Sequence, residues 1–419
     1  MLLKLLLALL LNAGLLWLLW RWLLRVRQLP AVGRWVLPTL LLKLLATALS
    51  VYTLSEDGKY FLVWSRRLTE QLWQAPTDWA RMLLTDEFHW STWKLVYHGL
   101  SNTFFLIKLL SVLNLASMGN AWLNALYLSL LSFVGSWELV RQVRQRWPES
   151  VPGAAVVAFL LWPTVVYWTS GLTKESLLVG SGALVLALVL RLAYGPAGRR
   201  GALVAGLLAA AVLHFKMRYF FAVVLFGVLA GLGLIRALQQ LGLVRSRLAQ
   251  LVVVVALLGG GAWAAGQVSP VFRANRFTSQ LQRNYSSLLA SSRNRPHLSY
   301  PNLQPTTESV VAHAPLAAVN TLVRPWFWEG GSVLYVVAGL ENLLLLAVFG
   351  VALVALARGC SGRLPFALVL VLLLYCLILA ALLGLTTPNL GTLSRYRTTF
   401  LPFLLLLLLQ NGYVARWLK

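Results

Sequence analysis

Basic residues at the ends of apolar segments are the clearest candidates for chemistry in this sequence. They are Lys174, Lys216, Arg218, Arg395 and Arg397, which lie in WTSGLTKES, HFKMRYF and NLGTLSRYR. Arginine donates paired hydrogen bonds that match phosphate oxygens, and lysine adds a compact positive charge. Such groups near a membrane surface predict a site for a phosphate or pyrophosphate carried by a lipid. The alternative is that each side chain only anchors its helix end in the interface.

Acidic residues are scarce, with 12 Asp and Glu against 36 Lys and Arg. Glu56 and Asp57 follow the second apolar segment in SEDGKYF. A carboxylate there can accept a proton from an acceptor hydroxyl, which is the work of a general base. The same EDG sequence is typical of a solvated turn. A second pair, Asp86 and Glu87 beside His89, is the reserve candidate for this role.

Three further carboxylates have separate interpretations. Glu175 opens an apolar segment, where a helix N-terminus favours an acid but not the neighbouring Lys174. Capping therefore explains Glu175 and Thr173 and leaves Lys174 as a candidate phosphate ligand. Glu329 ends RPWFWE and is placed to pair with Arg324. Glu341 lies inside a predicted span, where a carboxylate indicates either function or a pair with a polar group of another span.

The composition determines which elements carry these residues. Of the 419 residues, 59% are hydrophobic and 11% are charged, and the mean hydropathy is +0.74. Soluble domains carry about 25% charged residues, so the sequence predicts an all-α, polytopic transmembrane helical protein rather than a soluble enzyme. The net charge of +24 is spread between apolar spans, where topology and lipid head groups explain it better than nucleic acid does.

Eleven apolar segments approach the roughly 20 residues that a membrane span requires. They are 2–20, 35–53, 119–139, 152–170, 173–193, 202–215, 219–235, 249–266, 333–356, 365–386 and 398–411. The first has no convincing cleavage site, so we expect it to be retained. Short connections on one side hold sixteen Lys and Arg residues and those on the other hold six. This bias predicts an N-terminus outside and a C-terminus in the cytoplasm.

Two long loops, 54–118 and 267–332, then face outward. Within the first, segment 100–117 is interpreted as an amphipathic helix lying along the interface rather than across the membrane. Within the second, VFRANRFTSQLQRNYSSLL predicts an amphipathic helix on anionic lipid. The following SSRNRPHLSYPNLQPTT predicts irregular structure, either a mobile cap over a site or a solvated loop.

Known cofactor motifs are missing from the sequence. It contains no Walker A segment, no HExxH and no glycine-rich dinucleotide turn. His214 and His313 have no Asp, Glu or Cys at ligand spacing, which argues against a local zinc site. The sequence thus identifies no cofactor, and assistance by a divalent cation stays open.

Three segments carry a resemblance to a known family. WPTVVYWTSGLTKES, RPWFWE and SRYRTTFLPF are similar to segments of bacterial polysaccharide-polymerase-like proteins and of membrane glycosyltransferases of the GT-C type. The resemblance covers the organisation of most of the chain but only about forty residues in recognisable motifs. It implies transfer of a sugar or glycan from a polyprenyl-phosphate or polyprenyl-pyrophosphate donor on the outer face of a bacterial inner membrane.

The resemblance also implies roles for particular residues. Asp57 or Glu56 maps onto the carboxylate that activates the acceptor. The implied phosphate ligands are Lys174, Arg218, Arg324, Arg395 and Arg397. Further substrate-binding candidates are Glu175, Tyr396 and Glu329. The runner-up functions are a transporter or flippase of a lipid-linked anionic substrate and a non-enzymatic membrane scaffold.

Overall fold

The computed structural model describes residues 2–97, 99, 101–196, 200–268, 273–292 and 294–418. The described chain is 77% helical, which confirms the all-α class. The helices are α1 (Leu2–Arg27), α2 (Val36–Tyr52), α3 (Glu56–Gln74), α4 (Pro76–Met82), α5 (Asn102–Ser117), α6 (Ala121–Arg146), α7 (Ala154–Val156), α8 (Pro163–Trp168), α9 (Lys174–Tyr194), α10 (Arg200–Met217), α11 (Tyr219–Gln240), α12 (Arg247–Val268), α13 (Ala274–Ala290), α14 (Thr307–Val323), α15 (Val333–Ala357), α16 (Phe366–Thr386), α17 (Leu390–Arg397), α18 (Leu401–Leu408) and α19 (Gly412–Trp417). A 3-10 turn (Gly33–Trp35) precedes α2, and a π-helical turn (Val157–Leu161) follows α7.

Within the described residues, nine helices are long and apolar enough to cross a membrane. They are Leu2–Arg27, Gly33–Tyr52, Ala121–Arg146, Lys174–Tyr194, Arg200–Met217, Tyr219–Gln240, Arg247–Gln267, Val333–Ala357 and Phe366–Thr386. Many apolar side chains on α1, α10, α12 and α15 are exposed on the protein surface. Helices that are apolar all round and yet exposed require lipid rather than water as their solvent.

Two of the eleven predicted spans have a different local structure. Segment 152–170 holds α7, the π-helical turn and α8, and the chain is extended at Trp162 before Pro163. Proline disfavours a helical conformation in the residue before it, which accounts for the interruption. Segment 398–411 holds the eight-residue helix α18. The total of eleven spans therefore stays a prediction.

The first long loop, 54–118, is folded. It contains α3, α4, an antiparallel hairpin of β1 (Glu87–Trp90) and β2 (Trp93–Val96), and α5. On α3 the buried side chains include Phe61, Leu62, Ser65 and Leu68, a spacing of three and four that forms one helix face. This face packs on α5, so α5 is partly covered by protein.

In the described part of the second long loop, 267–332, helix α13 and the irregular chain after it agree with the prediction, whereas helix α14 was not predicted. Helix α13 buries Thr278, Leu281 and Tyr285 on one face. The irregular chain after it is anchored: the Leu298 N–H donates to the Pro388 carbonyl at 2.8 Å, and the Leu390 N–H donates to the Pro296 carbonyl at 3.1 Å. The segment predicted as a cap is thus hydrogen-bonded to the start of α17.

The chain divides into two compact units. The first unit comprises Met1–Gln142, Val166–Leu188 and Ala197–Ala222, and the second comprises Val143–Val165, Val189–Pro196 and Val223–Lys419. In the first unit, α5 packs against α1, α3 and α10; in the second, α16 packs against α12, α13, α14 and α18. Each unit therefore has its own core, and the candidate residues are divided between them.

Candidate functional site

Helices α2, α5 and α6 of the first unit all make polar contacts with the chain between α8 and the start of α9. We call residues 169–175 the polar segment. Gly171 has a φ of +89°, and a Cβ placed on it would lie 2.0 Å from the Ser50 hydroxyl. Its N–H donates to the Ser129 hydroxyl at 2.8 Å, which also accepts from the Thr47 hydroxyl at 2.8 Å. Only glycine fits this close approach.

Lys43 reaches this segment from inside α2. Its side chain is only 5% exposed. The ammonium donates to the Thr169 carbonyl oxygen at 2.5 Å and to the Thr169 hydroxyl at 2.6 Å. Our sequence analysis missed this residue because TLLLKLLATALS is a continuous apolar span. The available signal was an ionisable residue within a span, which is by default a functional hypothesis.

Lys174 reaches the N-terminal end of α5. Its ammonium donates to the Asn102 side-chain oxygen at 2.9 Å and to the Thr103 hydroxyl at 2.7 Å. It also lies 5.4 Å from the centre of the Phe61 ring on α3. The Asn102 amide in turn donates to the Met217 carbonyl at the end of α10, at 3.0 Å. One lysine thus connects the polar segment to α3, α5 and, through Asn102, α10.

Glu175 and Arg218 form an ion pair beside Lys174. Their side-chain atoms are 3.9 Å apart, and the Glu175 side chain is 0% exposed. The Ser176 N–H donates to the Thr173 hydroxyl at 3.2 Å, so Thr173 caps α9 as the sequence predicts. Lys43, Lys174 and Arg218 bring three basic side chains to the polar segment, where Glu175 places a buried carboxylate. These basic groups favour an anionic ligand.

Glu56 and Asp57 occupy the first turn of α3, and both are exposed. The Gly58 N–H donates to the Ser55 hydroxyl at 3.2 Å, and Glu56 pairs with Lys59 at 2.7 Å. The EDG sequence therefore begins a capped helix, where the dipole favours acids. Asp57 lies one helical turn before Phe61, the ring beneath Lys174. The structure thus brings Asp57 into the first unit with Lys174, Glu175 and Arg218.

An aromatic cluster is formed by Tyr60 and Trp64, which follow Asp57 on α3, and by Phe88 and Trp93 of the hairpin. The Trp64 ring lies 6.1 Å from Tyr60, 6.3 Å from Phe88 and 6.3 Å from Trp93. Tyr60 and Trp93 are both exposed. Exposed aromatic rings offer apolar faces together with polar edges. The cluster therefore suits a ligand with both kinds of surface.

The reserve pair lies beside this cluster, on the hairpin. The Glu87 carboxylate and the His89 ring are 2.9 Å apart, and both side chains are exposed.

Asp86 interacts electrostatically with Lys108 of α5. The Lys108 ammonium donates to the Leu83 and Thr85 carbonyls at 3.1 and 2.5 Å. Burial lowers the pKa of Lys108 to about 8, with Asp86 opposing and Lys216 adding to the shift. A neutral amine is therefore accessible to Lys108 at mildly alkaline pH.

In the second unit, Arg397 is almost completely buried, at 1% exposure. Its guanidinium donates to the Asn342 side-chain oxygen at 2.6 Å and to the carbonyls of Thr321 and Arg324 at 3.3 and 3.2 Å. These carbonyls end α14, where a positive charge is favourable. The structure thus gives Arg397 a helix-capping position. Arg395, two residues earlier on α17, is only half-buried.

The remaining predicted residues also lie in the second unit. The Arg324 side chain donates to Glu329 at 2.6 Å, and Glu329 also accepts from the Trp326 N–H at 2.8 Å. This confirms the predicted pair. Glu341 accepts from the Thr164 N–H at 3.0 Å and from its hydroxyl at 2.5 Å, which fits pairing with another predicted span. Tyr396 is half-buried on α17.

Across the part of the chain that the structure describes, no three His, Cys, Asp or Glu side chains are grouped to hold a metal ion. His214 instead lies within the first unit, with its Nδ1 3.1 Å from both the Ser181 hydroxyl and the Leu178 carbonyl. Its position is therefore explained by these helix contacts.

No protein-family model, curated protein or solved structure matches this chain. The fold and the apolar surface of its helices define an all-α, polytopic integral membrane protein.

Proposed function

We propose that this protein is a membrane glycosyltransferase or polysaccharide polymerase that uses a polyprenyl-phosphate or polyprenyl-pyrophosphate donor on the non-cytoplasmic face. The observation that carries the proposal is the cluster of basic side chains around the polar segment of the first unit. The proposed orientation has the N-terminus outside and the C-terminus in the cytoplasm of a bacterial inner membrane.

The donor phosphate is the group that the polar segment suits best. Lys174 and Arg218 present an ammonium and a guanidinium near the predicted ends of spans, at the depth where a lipid-linked phosphate lies. Phosphate oxygens accept charge-assisted hydrogen bonds from such groups. Lys43 has an indirect role: it orients Thr169, because its side chain already donates hydrogen bonds to that residue.

The acceptor would approach at α3. Asp57 is exposed there, and the Tyr60–Trp64 cluster follows it with ring faces on which a sugar can stack. In the proposed step, the acceptor hydroxyl oxygen bonds to the anomeric carbon of the donor sugar. The bond between that carbon and the phosphate oxygen breaks, the phosphate leaves with the electron pair, and Asp57 takes the hydroxyl proton.

Cations around the leaving group would stabilise the charge that develops on it. The uncharged acceptor is thus placed at α3 and its aromatic cluster, and the anionic leaving group is placed at the basic residues of the polar segment. This division of roles requires no nucleotide and no resident cofactor. A divalent cation is compatible with it but is not needed for the proton and charge balance.

Native mass spectrometry of the purified protein tests the phosphate site. The probes are a polyprenyl phosphate and the polyprenol of the same chain length, which lacks only the phosphate. We expect the phosphate to bind at least tenfold more tightly, a difference of about 1.4 kcal/mol, and Lys174→Gln to remove most of that preference. Lys94→Gln, an exposed lysine of β2, is the matched control.

Equal binding of the two probes, or an unchanged preference in Lys174→Gln, would overturn the phosphate site. The catalytic role is tested separately by following glycan synthesis with Asp57→Asn protein. Donor binding without synthesis in this variant supports the base assignment. Full synthesis by the variant would remove Asp57 from the mechanism and leave phosphate binding intact.

A further inference from the structure

The second unit contains a long apolar groove that the proposed reaction does not use. Its volume is about 640 Å³, within the roughly 300–1,000 Å³ range of small-molecule sites. Its lining includes Val351 and Val354 of α15, Leu409 after α18, and Trp417 of α19. Aliphatic and aromatic side chains therefore make up most of the lining.

One end of the groove is polar. Arg358 directly follows α15, and its guanidinium donates to the Tyr413 hydroxyl at 3.0 Å. Both residues line the groove. A guanidinium has five N–H donors, so a single phenol partner leaves capacity for a further acceptor. Among the described residues that line the groove there is no carboxylate to compete for that position.

The groove extends from this polar end along one face of α15. Its lining residues on that helix are Ala347, Gly350, Val351 and Val354, with Arg358 after the last turn. At 1.5 Å per residue they cover about 16 Å of helix length. Trp417 is 89% exposed near the polar end, and tryptophan with arginine is typical of a membrane interface. The groove thus has a polar interfacial end and an apolar body.

We propose that this groove binds one anionic phospholipid. An acyl chain lies against α15, and the phosphate accepts hydrogen bonds from the Arg358 guanidinium and the Tyr413 hydroxyl. Charge complementarity selects an anionic lipid, because the described residues at the polar end offer a cation and a neutral donor but no acidic partner for a choline or ethanolamine group. The predicted cytoplasmic side of the 357–364 connection agrees, since that leaflet surface is rich in anionic lipid.

This site is independent of the proposed transferase function. It lies in the second unit, whereas the polar segment lies in the first. It also takes a bulk membrane lipid in place of a polyprenyl-linked sugar. Failure of either proposal therefore leaves the other in place.

The test is native mass spectrometry of the full-length protein in detergent, titrated with phosphatidylglycerol or phosphatidylcholine of identical acyl chains. We expect the wild type to retain phosphatidylglycerol at least tenfold more strongly. Arg358→Gln should abolish that preference. Val351→Trp, which fills the apolar body, should weaken both lipids at least tenfold.

Two variants provide matched controls. Arg363→Gln removes a neighbouring exposed arginine, which pairs with Glu149 at 2.5 Å rather than lining the groove. Leu353→Trp introduces the same side chain at an exposed position of α15 that does not line the groove. Both controls should bind as the wild type does.

Three results would overturn the proposal: equal retention of the two lipids by the wild type, an Arg363→Gln effect equal to that of Arg358→Gln, or equal effects of the two tryptophan variants. If Arg358→Gln protein does not fold, Tyr413→Phe replaces it, because it removes one phosphate donor and little volume. That variant should lower phosphatidylglycerol retention severalfold and leave phosphatidylcholine unchanged. An unchanged ratio of the two lipids would contradict the assigned phosphate position.

Discussion

Lys43 and Thr169 are joined by two hydrogen bonds, from one ammonium to the carbonyl at 2.5 Å and to the hydroxyl at 2.6 Å of the same residue. The lysine is in α2, one of the helices long and apolar enough to cross a membrane, and the threonine begins the polar segment. Because the threonine provides two acceptors at one place, the buried lysine is hydrogen-bonded without a carboxylate. The contact therefore orients the polar segment as well as stabilising the lysine.

We expect Lys43→Met to loosen the polar segment while the fold persists, because methionine fills a similar volume without the charge. Amide hydrogen exchange at residues 170–172 should become at least tenfold faster, equivalent to about 1.4 kcal/mol of local opening. The thermal midpoint in detergent should change little. Unchanged exchange at Gly171, which donates to Ser129, would show that Lys43 does not orient this segment.

Gly171→Ala should destabilise the protein by about 1–3 kcal/mol, because it adds steric overlap and a strained backbone conformation. The added Cβ would lie 2.0 Å from the Ser50 hydroxyl. Thermal unfolding at one scan rate measures the change. Ser50→Gly in the same chain should restore part of the loss.

Gly261→Ala is the control for that measurement. This glycine is inside α12 and has no neighbour within 4 Å of an added Cβ, so alanine should be neutral or stabilising by up to about 1 kcal/mol. A similar loss in both alanine variants would contradict the close approach at Gly171.

Arg397→Ala should lower the free energy of unfolding by about 3 kcal/mol or more, because it removes the donor shared by Asn342 and the end of α14. A double-mutant cycle with Asn342→Ala should give a coupling of about 0.5–3 kcal/mol. Arg395→Ala, at a half-buried position, should cost less than half as much. Equal losses for the two arginines would argue against the capping position of Arg397.

The pH dependence of stability should contain a contribution from Lys108. Its folded-state pKa of about 8 lies below the ordinary value of 10.5, so the unfolded chain binds more protons between these values. The free energy of unfolding therefore rises with pH across this window. The destabilisation caused by burying the charged Lys108 is fully present below about pH 8 and is lost as the pH rises towards 10.5.

Thermal midpoints at pH 7.5 and 9.5 measure this contribution. Lys108→Met should abolish part of the rise seen in the wild type, while the exposed control Lys94→Met should retain it. An identical rise in all three proteins would remove Lys108 as its source.

Asn389 connects α17 to the chain that crosses its start. Its side chain accepts from the Thr392 N–H at 2.9 Å and donates to the Ser292 hydroxyl at 3.1 Å. Asn389→Ala should cost about 1 kcal/mol and speed amide exchange at Leu298 and Leu390. Asn411→Ala removes a cap from α19 and should leave those two amides unchanged. Equal exchange in both variants would contradict the anchoring role.

Much of the helical architecture follows from hydropathy, because an apolar run of about 20 residues has few alternatives in a bilayer. The break at Trp162 had a visible signal in Pro163, whereas the run of apolar residues conceals the π-helical turn before it. Capping of α9 by Thr173 and the Arg324–Glu329 pair were predictable, because their partners lie within a few residues in sequence.

Long-range partners were not predictable from one sequence. Lys174 meets Asn102 from 72 positions away, and no local pattern encodes that contact. Arg395 and Arg397 are equivalent in the string RYR, yet two residues on a helix differ by about 200° in direction. One side chain is therefore buried and the other is half-buried, which only the packing around α17 decides.

The distance in sequence between Lys43 and Thr169 has a consequence for biosynthesis. They are separated by 126 residues, and at about 5–20 residues per second the ribosome needs about 6–25 seconds to make the second after the first. During that interval α2 carries a lysine whose two acceptors do not yet exist. The hydrogen bonds between Lys43 and Thr169 can form only after Thr169 has been made, so the order of synthesis sets the earliest time at which α2 can reach its final position.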